Sequence, residues 1–163
     1  KSKLKSTNYL MELFFKKKFP VIILRPYLIY GPGQNTDRLI PITILNCLNN
    51  TSFNCSSGRQ VRNFMYVKDF IKIVYKCLFT KVSGDILNVG SAKNYKVRYL
   101  INKINRLIGK GFPQYGKIKL RNDEPLNLYP NLKKLNKFIK LDREINIDDG
   151  LKKTIYFYKK NYG

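Results

Sequence analysis

The sequence contains no histidine and only three cysteines among its 163 residues, Cys47, Cys55 and Cys77. These cysteines lack the close spacing of zinc-binding pairs, so we expect no metal site. Cys47 and Cys77 fall within apolar helical patterns, where a buried reduced thiol is the usual role. An odd number of cysteines, without a secretory leader, favours a reducing compartment, and we expect a cytoplasmic protein.

Two further absences concern membranes and dinucleotides. No apolar run approaches the roughly twenty residues that cross a bilayer, so we expect no membrane span. The chain also has no Gly-x-x-Gly-x-x-Gly sequence after a first strand. That turn is what lets a pyrophosphate approach the amino terminus of a helix in dinucleotide-binding folds.

Acidic residues are scarce, with 10 Asp and Glu against 32 Lys and Arg, which gives a formal net charge of +22. Such a field attracts polyanions, and interleaved aromatic residues such as Tyr95 and Tyr99 offer stacking surfaces for single strands. However, the lysines are spread along every segment, and the run at residues 16–18 is shorter than a typical nucleic-acid tail. We therefore do not expect nucleic acid to be the partner, although a cationic polyanion-binding module stays the alternative function.

Hydrophobic periodicity predicts alternating strands and helices, which is typical of an α/β fold with parallel strands. On the predicted helix at residues 68–79, we expect the inward-facing side chains to be Phe70, Ile71, Val74, Tyr75 and Leu78. We expect the helix at 97–108 to end at Gly109 and Asp148 with Asp149 to cap the final helix. The predicted strands are 21–24, 61–66, 85–89 and 117–120, and the predicted helices are 4–15, 38–48, 68–79, 97–108, 131–138 and 150–160.

The segment at residues 21–34 is the most informative one. It begins as an apolar, β-branched run and ends in Tyr30-Gly31-Pro32-Gly33-Gln34. Ligands of open α/β sheets bind beyond the carboxyl ends of such buried strands. Tyr27 to Gln34 is therefore a candidate cleft loop, although glycine and proline close many ordinary strands as well.

Four motifs occur in an order that resembles the carboxyl-terminal half of the extended short-chain dehydrogenase/reductase family. This family contains the NAD-dependent nucleotide-sugar epimerases and dehydratases. The resemblance runs from about Lys1 to Tyr162. The motifs are Arg25 with Tyr30-Gly31-Pro32, then Arg38-Leu39-Ile40-Pro41, then Gln60-Val61-Arg62-Asn63-Phe64-Met65-Tyr66-Val67-Lys68-Asp69, and then Asn88-Val89-Gly90.

The resemblance implies the last part of an extended Rossmann-type fold with a small substrate-binding lobe. Residues 1–34 would be a remnant of the NAD-binding domain, and residues 35–163 would form mainly the substrate lobe with interleaved Rossmann elements. Because family enzymes are about twice as long, we expect a fragment, whether truncated naturally or otherwise. The parent enzyme would use NAD or NADP on a nucleotide sugar, and family members commonly form homodimers.

By resemblance, Lys3 is the lysine of the family's Tyr-x-x-x-Lys motif, whose tyrosine would lie before residue 1. In that pair a fixed ammonium stabilises the phenolate of the tyrosine, which acts as acid or base on a sugar hydroxyl. A lysine in a Lys-rich helix is otherwise a solvated surface group. Pro26 and Tyr27 would lie against the nicotinamide, with Pro26 contacting the cofactor through its backbone.

The resemblance also implies a set of substrate contacts. Arg62 would clamp the nucleotide diphosphate, for which a bidentate guanidinium is well suited. Arg38 and Leu39 would line the nucleotide pocket, Asn88 would bind substrate at a strand end, and Arg121 with Asp123 would reach phosphate or ribose.

Two positions depart from the family pattern. Leu28 stands where the family usually has an asparagine that donates to the diphosphate, so this bond would be missing, and an ordinary core role is equally open for it. Asn63 replaces the common aspartate, and Asp69 is expected either as a helix-start residue or as a residue that supports the substrate contacts from behind.

The leading hypothesis is therefore the substrate-binding half of a nucleotide-sugar epimerase, dehydratase or reductase, inactive alone. A decayed gene product without activity is a third possibility.

Overall fold

The computed structural model describes residues 1–139 and 143–163. Within these residues strands and helices alternate along the chain, as expected for the α/β class. The strands are β1 (Ile22–Pro26), β2 (Leu28–Tyr30), β3 (Ser52–Asn54), β4 (Val61–Tyr66), β5 (Asp85–Val89), β6 (Asn94–Lys96), β7 (Phe112–Gln114) and β8 (Asn127–Leu128). The helices are α1 (Ser2–Lys17), α2 (Leu39–Leu48), α3 (Val67–Leu78), α4 (Val97–Ile108), α5 (Lys133–Phe138) and α6 (Ile147–Tyr162).

Strands β1 and β5 form a parallel pair in which Ile23 lies beside Ile86 and Pro26 beside Val89. Parallel neighbours require a long crossover connection, and here the connection contains β2, α2, β3, β4 and α3. Leu87 and Val89 are fully buried against α3 and α5, in a cluster with Ile73 and Leu135. The parallel α/β fold predicted from the alternating pattern is therefore confirmed.

Strand β4 is the centre of the second sheet. It pairs in parallel with β2 and β8 and antiparallel with β6. Five of its six residues are buried, and the two polar ones among them, Arg62 and Asn63, are hydrogen-bonded through their side chains. The main core packs around this strand and is formed by Tyr30, Ile40, Ile44, Cys47, Phe64, Tyr66, Leu100, Ile104, Ile147, Leu151 and Tyr158.

Most helix predictions agree with the structure to within a few residues. The helix at 97–108 is confirmed, and Gly109 ends it in the left-handed conformation at φ 76°. The predicted start of the last helix is wrong, because α6 begins three residues earlier than 150. Its cap is Asn146, whose side-chain oxygen accepts the Asp149 backbone N–H, so the two aspartates lie inside the first turn.

Two other predictions are also wrong. The predicted strand at 117–120 is irregular, and the nearby strand is β7, which pairs in parallel with β3. On α3 the residues Ile71, Tyr75 and Leu78 are 57%, 62% and 72% exposed, whereas Ile73 is buried. The helix packs on the sheet through the face that carries Asp69 and Ile73. Within the described residues its large apolar stripe is therefore only partly buried.

The cysteine predictions on the helices hold in part. Cys47 on α2 is fully buried and Cys77 on α3 is half-buried. All three thiols are free, and burial raises the pKa of each of them. The cysteines of this chain are therefore protonated packing groups near neutral pH.

Candidate nucleotide-binding site

A cavity of about 650 Å³ lies beside β4, in the size range of small-molecule sites. Helix α2 forms one wall, residues 53–60 form a second, and the start of α4 forms a third. The irregular segment at residues 118–124 closes the remaining side. The cavity therefore lies among elements that are distant in sequence and meet only in the folded chain.

One end of this cavity is apolar. Leu39, Phe53, Val97 and Ile101 line it, and they pack around the buried Cys55. Burial is the main reason why the pKa of the Cys55 thiol is raised. This end therefore offers a flat, weakly polar part of a ligand a place out of water.

The other end is charged and contains Arg62, Lys119, Arg121 and Glu124. Arg62 is only 8% exposed. Its Nη1 donates to the carbonyl oxygens of Val61 at 2.8 Å and Leu126 at 3.3 Å. Its Nη2 donates to Glu124 Oε1 at 2.7 Å. These contacts hold the guanidinium in one position at the cavity wall.

The backbone of residues 58–60 is seated on the amino terminus of α4. Arg98 N donates to Gly58 O at 2.9 Å, and Val97 N donates to Gln60 O at 3.0 Å. Gly58 has φ +66°, and a Cβ there would lie 2.8 Å from the backbone nitrogen of Arg98. Only glycine fits this approach without a shift, so this turn positions the side of the cavity that carries Gln60.

The structure brings together three of the five predicted substrate residues. Leu39, Arg62 and Arg121 line the cavity. Arg38 is exposed and does not line the cavity, and its Nε lies 3.7 Å from Asp37 Oδ1. Asn88 also lies outside the cavity, beside Arg25 in the parallel pair of β1 and β5.

Sequence reasoning missed Glu124 and Gln60 as cavity residues. The acidic pair after Arg121 was a signal, but it drew attention to Asp123, whereas Glu124 is the residue that contacts Arg62. Leu28 is 44% exposed at the cavity edge, so the core role considered for it is wrong.

The predicted cofactor residues lie at and near the carboxyl end of the parallel pair or on α1. Pro26 is exposed at the end of β1, and Tyr27 N donates to Val89 O at 2.9 Å. Lys3 is exposed on α1, none of whose residues is buried. These positions do not line the cavity beside β4.

The buried side chains of Asn63 and Asp69 form hydrogen bonds with backbone groups of distant segments. Asn63 is 1% exposed and its Nδ2 donates to Ser91 O at 2.7 Å, Lys93 O at 3.2 Å and Asn94 Oδ1 at 2.7 Å. An aspartate has no N–H to donate, so the amide suits this position. Asp69 in the first turn of α3 accepts the Ile145 backbone N–H at 2.7 Å, which confirms it as a helix-start residue.

In residues 1–139 and 143–163, no group of three or more His, Cys, Asp or Glu side chains is placed to hold a metal ion. None of the helices in that part of the chain is long and apolar enough to cross a bilayer.

A family model described as the NAD dependent epimerase/dehydratase family matches residues 1–90, which include β1, β4 and most of the cavity wall. The chain belongs to this family. The resemblance noted from the sequence motifs is therefore confirmed.

Relatives of this epimerase/dehydratase-family chain include human dTDP-D-glucose 4,6-dehydratase, which is 27% identical over 168 aligned positions. That alignment covers 99% of this chain and 48% of the human protein. UDP-glucose 4-epimerase from Thermotoga maritima, solved with UDP-glucose, superposes with a TM-score of 0.90 at 19% identity. The superposition covers 99% of this chain and 53% of the epimerase chain. dTDP-glucose 4,6-dehydratase from Bacillus anthracis, solved with NAD, has a TM-score of 0.83 at 22% identity and covers 94% and 49%.

The chain spans about half the length of the curated relatives it matches. At these low identities the solved structures show the fold alone, and it is the Rossmann-like α/β fold that this chain shares with them.

Proposed function

We propose that this chain is the nucleotide-sugar-binding half of an NAD(P)-dependent epimerase, dehydratase or reductase. The cavity beside β4 would hold the nucleoside diphosphate. The observation that carries this proposal is the buried guanidinium of Arg62 at the wall of a cavity whose far end is apolar. A cation at one end and an apolar surface at the other match a diphosphate joined to a nucleobase.

The charges at the cavity support a diphosphate rather than a neutral ligand. Arg62 is partly neutralised by Glu124, whereas Arg121 and Lys119 lie on the exposed side of the same cavity. Arg121 and Lys119 would meet the phosphates first, and Arg62 would then orient them from inside the wall. Relatives with UDP-glucose and dTDP-glucose in their names support the same ligand class.

The residues at the end of β1 fit only one end of a nicotinamide cofactor. Pro26 and Arg25 are exposed there, so a ligand has access to the backbone at the carboxyl edge of the parallel pair. Pro26, Tyr27 and Lys3 would hold the nicotinamide and its ribose, and Asn88 lies beside them at the end of β5. The bound cofactor supplies hydride transfer with a sugar carbon.

We expect the 163 residues by themselves to bind nucleotide sugar without turning it over, because they include no Gly-x-x-Gly-x-x-Gly turn for the cofactor pyrophosphate. Within the described residues β1 pairs only with β5, and the exposed side chains of Ile71, Tyr75 and Leu78 lie on α3. We expect the other half of the family's fold to cover β1 and the exposed face of α3.

Thermal unfolding with UDP-, dTDP-, CDP- and GDP-sugars tests the proposal. A ligand at about 100 times its Kd stabilises by about 2.7 kcal/mol, or about 5–10 °C for a chain of this size. We expect one nucleotide class to give this shift in melting temperature. In Arg62→Ala, the difference in melting temperature between the liganded and unliganded variant should be much smaller.

The matched control is Arg59→Ala, since Arg59 is exposed, carries the same charge and does not line the cavity. It should retain the full ligand shift. Equal and salt-sensitive stabilisation by DNA and every nucleotide would support the polyanion-binding module instead. Absence of a shift with all four sugars in a folded chain would contradict the proposal.

A further inference from the structure

Gln60 carries a hydrogen-bond acceptor that has no partner. Its side chain contributes to the cavity wall, and the residue is 7% exposed. Its Oε1 is the one buried side-chain nitrogen or oxygen without a hydrogen bond in residues 1–139 and 143–163. Buried polar atoms are nearly always paired in folded proteins, so an unpaired one calls for an explanation.

The neighbours of Gln60 supply a partner to its amide nitrogen but no donor to its side-chain oxygen. Its Nε2 donates to Ser56 Oγ at 3.2 Å, and its backbone oxygen accepts the Val97 N–H at the start of α4. Its neighbour Gly58 is fixed by the same helix end. The backbone of Gln60 is therefore held in place. A ligand that pairs with Oε1 must bring its donor to the position of this oxygen.

The donor would arrive at the apolar end of the cavity. Gln60 belongs to the same cavity wall as Leu39, Phe53, Val97 and Ile101, whereas Arg62 and Arg121 mark the charged end. If phosphates occupy the charged end, the base occupies the apolar one. Ser56, Asn54 and Thr43 also line this cavity, but Gln60 Oε1 is the buried acceptor without a partner in the described residues, and it favours a flat ring that presents an N–H to it.

We propose that Gln60 Oε1 accepts the imide N–H of a uracil or thymine base, and that Gln60 thereby selects imide-bearing nucleotides. This inference rests on the proposed function. A cytosine ring presents an acceptor nitrogen in the place of that imide N–H, and two facing acceptors repel each other.

Calorimetric titration of the 163-residue chain with UDP, 3-methyl-UDP and CDP tests this contact. In 3-methyl-UDP a methyl group replaces the imide hydrogen and leaves the phosphates unchanged. We expect UDP to bind about tenfold or more tightly than either of the others, since a site with an unpaired polar group rejects a ligand that lacks the partner.

The variant Gln60→Met keeps the length of the side chain and removes the acceptor. We expect it to weaken UDP by about tenfold and to reduce the preference for UDP over 3-methyl-UDP to less than about threefold. The control Gln114→Met makes the same chemical change on the exposed strand β7, away from the cavity lining, and should leave all affinities unchanged.

Equal binding of UDP and 3-methyl-UDP by the unaltered chain would overturn the inference, whether or not Gln60→Met folds. A preference that survives Gln60→Met would also overturn it, because the methyl group would then be rejected by something else. In both cases UDP still binds and the proposed function stands. A folded chain that binds none of the three nucleotides would also overturn the inference, and if dTDP and GDP fail to bind as well, the proposed function itself would be contradicted.

Discussion

The ion pair between Arg62 and Glu124 should contribute measurably to stability, and Glu124→Gln is the change that tests it. The amide keeps an oxygen to accept from Arg62 but removes the charge. The two side chains are 9% and 20% exposed, and the N–O distance is 2.7 Å. The pair is therefore more buried than the surface pairs that contribute about 0–1 kcal/mol.

The magnitude follows from two limits. Breaking a fully buried pair by removing one partner costs about 3–5 kcal/mol, whereas an exposed pair costs little. Glu124 retains some contact with water and glutamine retains the hydrogen bond, so we expect a loss of about 2 kcal/mol in the free energy of unfolding. With a urea dependence of about 2 kcal/mol/M, the midpoint of unfolding should fall by about 1 M.

Urea unfolding followed by circular dichroism measures this shift. The matched control is Glu12→Gln on α1, where Lys16 and Glu12 lie 2.6 Å apart with 71% and 54% of their side chains exposed. We expect no resolvable change there, because water screens that pair. A midpoint for Glu124→Gln that moves no further than that of Glu12→Gln would refute the reasoning.

Three further predictions concern Asn63, Gly58 and the half-buried phenol of Tyr115. Asn63→Asp removes the side-chain N–H groups that donate to Ser91 O, Lys93 O and Asn94 Oδ1 and should cost about 3 kcal/mol, seen as a fall in melting temperature of about 6–12 °C; an unchanged melting temperature would contradict the role of the amide. Gly58→Ala should destabilise more than Gly33→Ala, since both have positive φ but only the first Cβ meets the backbone of α4; equal urea midpoints would argue against the close approach. Burial raises the pKa of Tyr115 to about 12, so its contribution to stability is complete below about pH 10 and is lost as pH rises towards 12. Tyr115→Phe should therefore lose less stability than the unaltered chain between pH 10 and 12 in unfolding curves, and an identical alkaline loss in both proteins would contradict this.

The long elements could be predicted from the sequence because their signals are local. Strands β4 and β5 and helix α4 have the predicted bounds, since short runs rich in apolar residues and a helical period ended by Gly109 are each local to one segment. The order of the motifs was likewise sufficient to recognise the family. The individual roles of all the predicted site residues stay predictions, namely those of Lys3, Pro26, Tyr27, Arg38, Leu39, Arg62, Asn88 and Arg121.

The short strands could not be predicted, because three residues have no readable period and a distant partner defines them. Strand β3 exists through β7, which lies about 60 residues later. The exposed face of α3 shows the same limit, since amphipathic periodicity identifies a stripe but not the surface that covers it.

The sequence by itself determined the α/β class, the family and the arginine of the candidate site, because these depend on residue types and their order along the chain. Only the tertiary structure decided that Glu124 pairs with Arg62 across 62 positions and that Gln60 has an unpaired oxygen at the cavity wall. The physical reason is that pairing and burial depend on what lies within a few ångströms. For these side chains that neighbourhood is assembled from β4, α2, α4 and the 118–124 segment, which meet only when the chain folds.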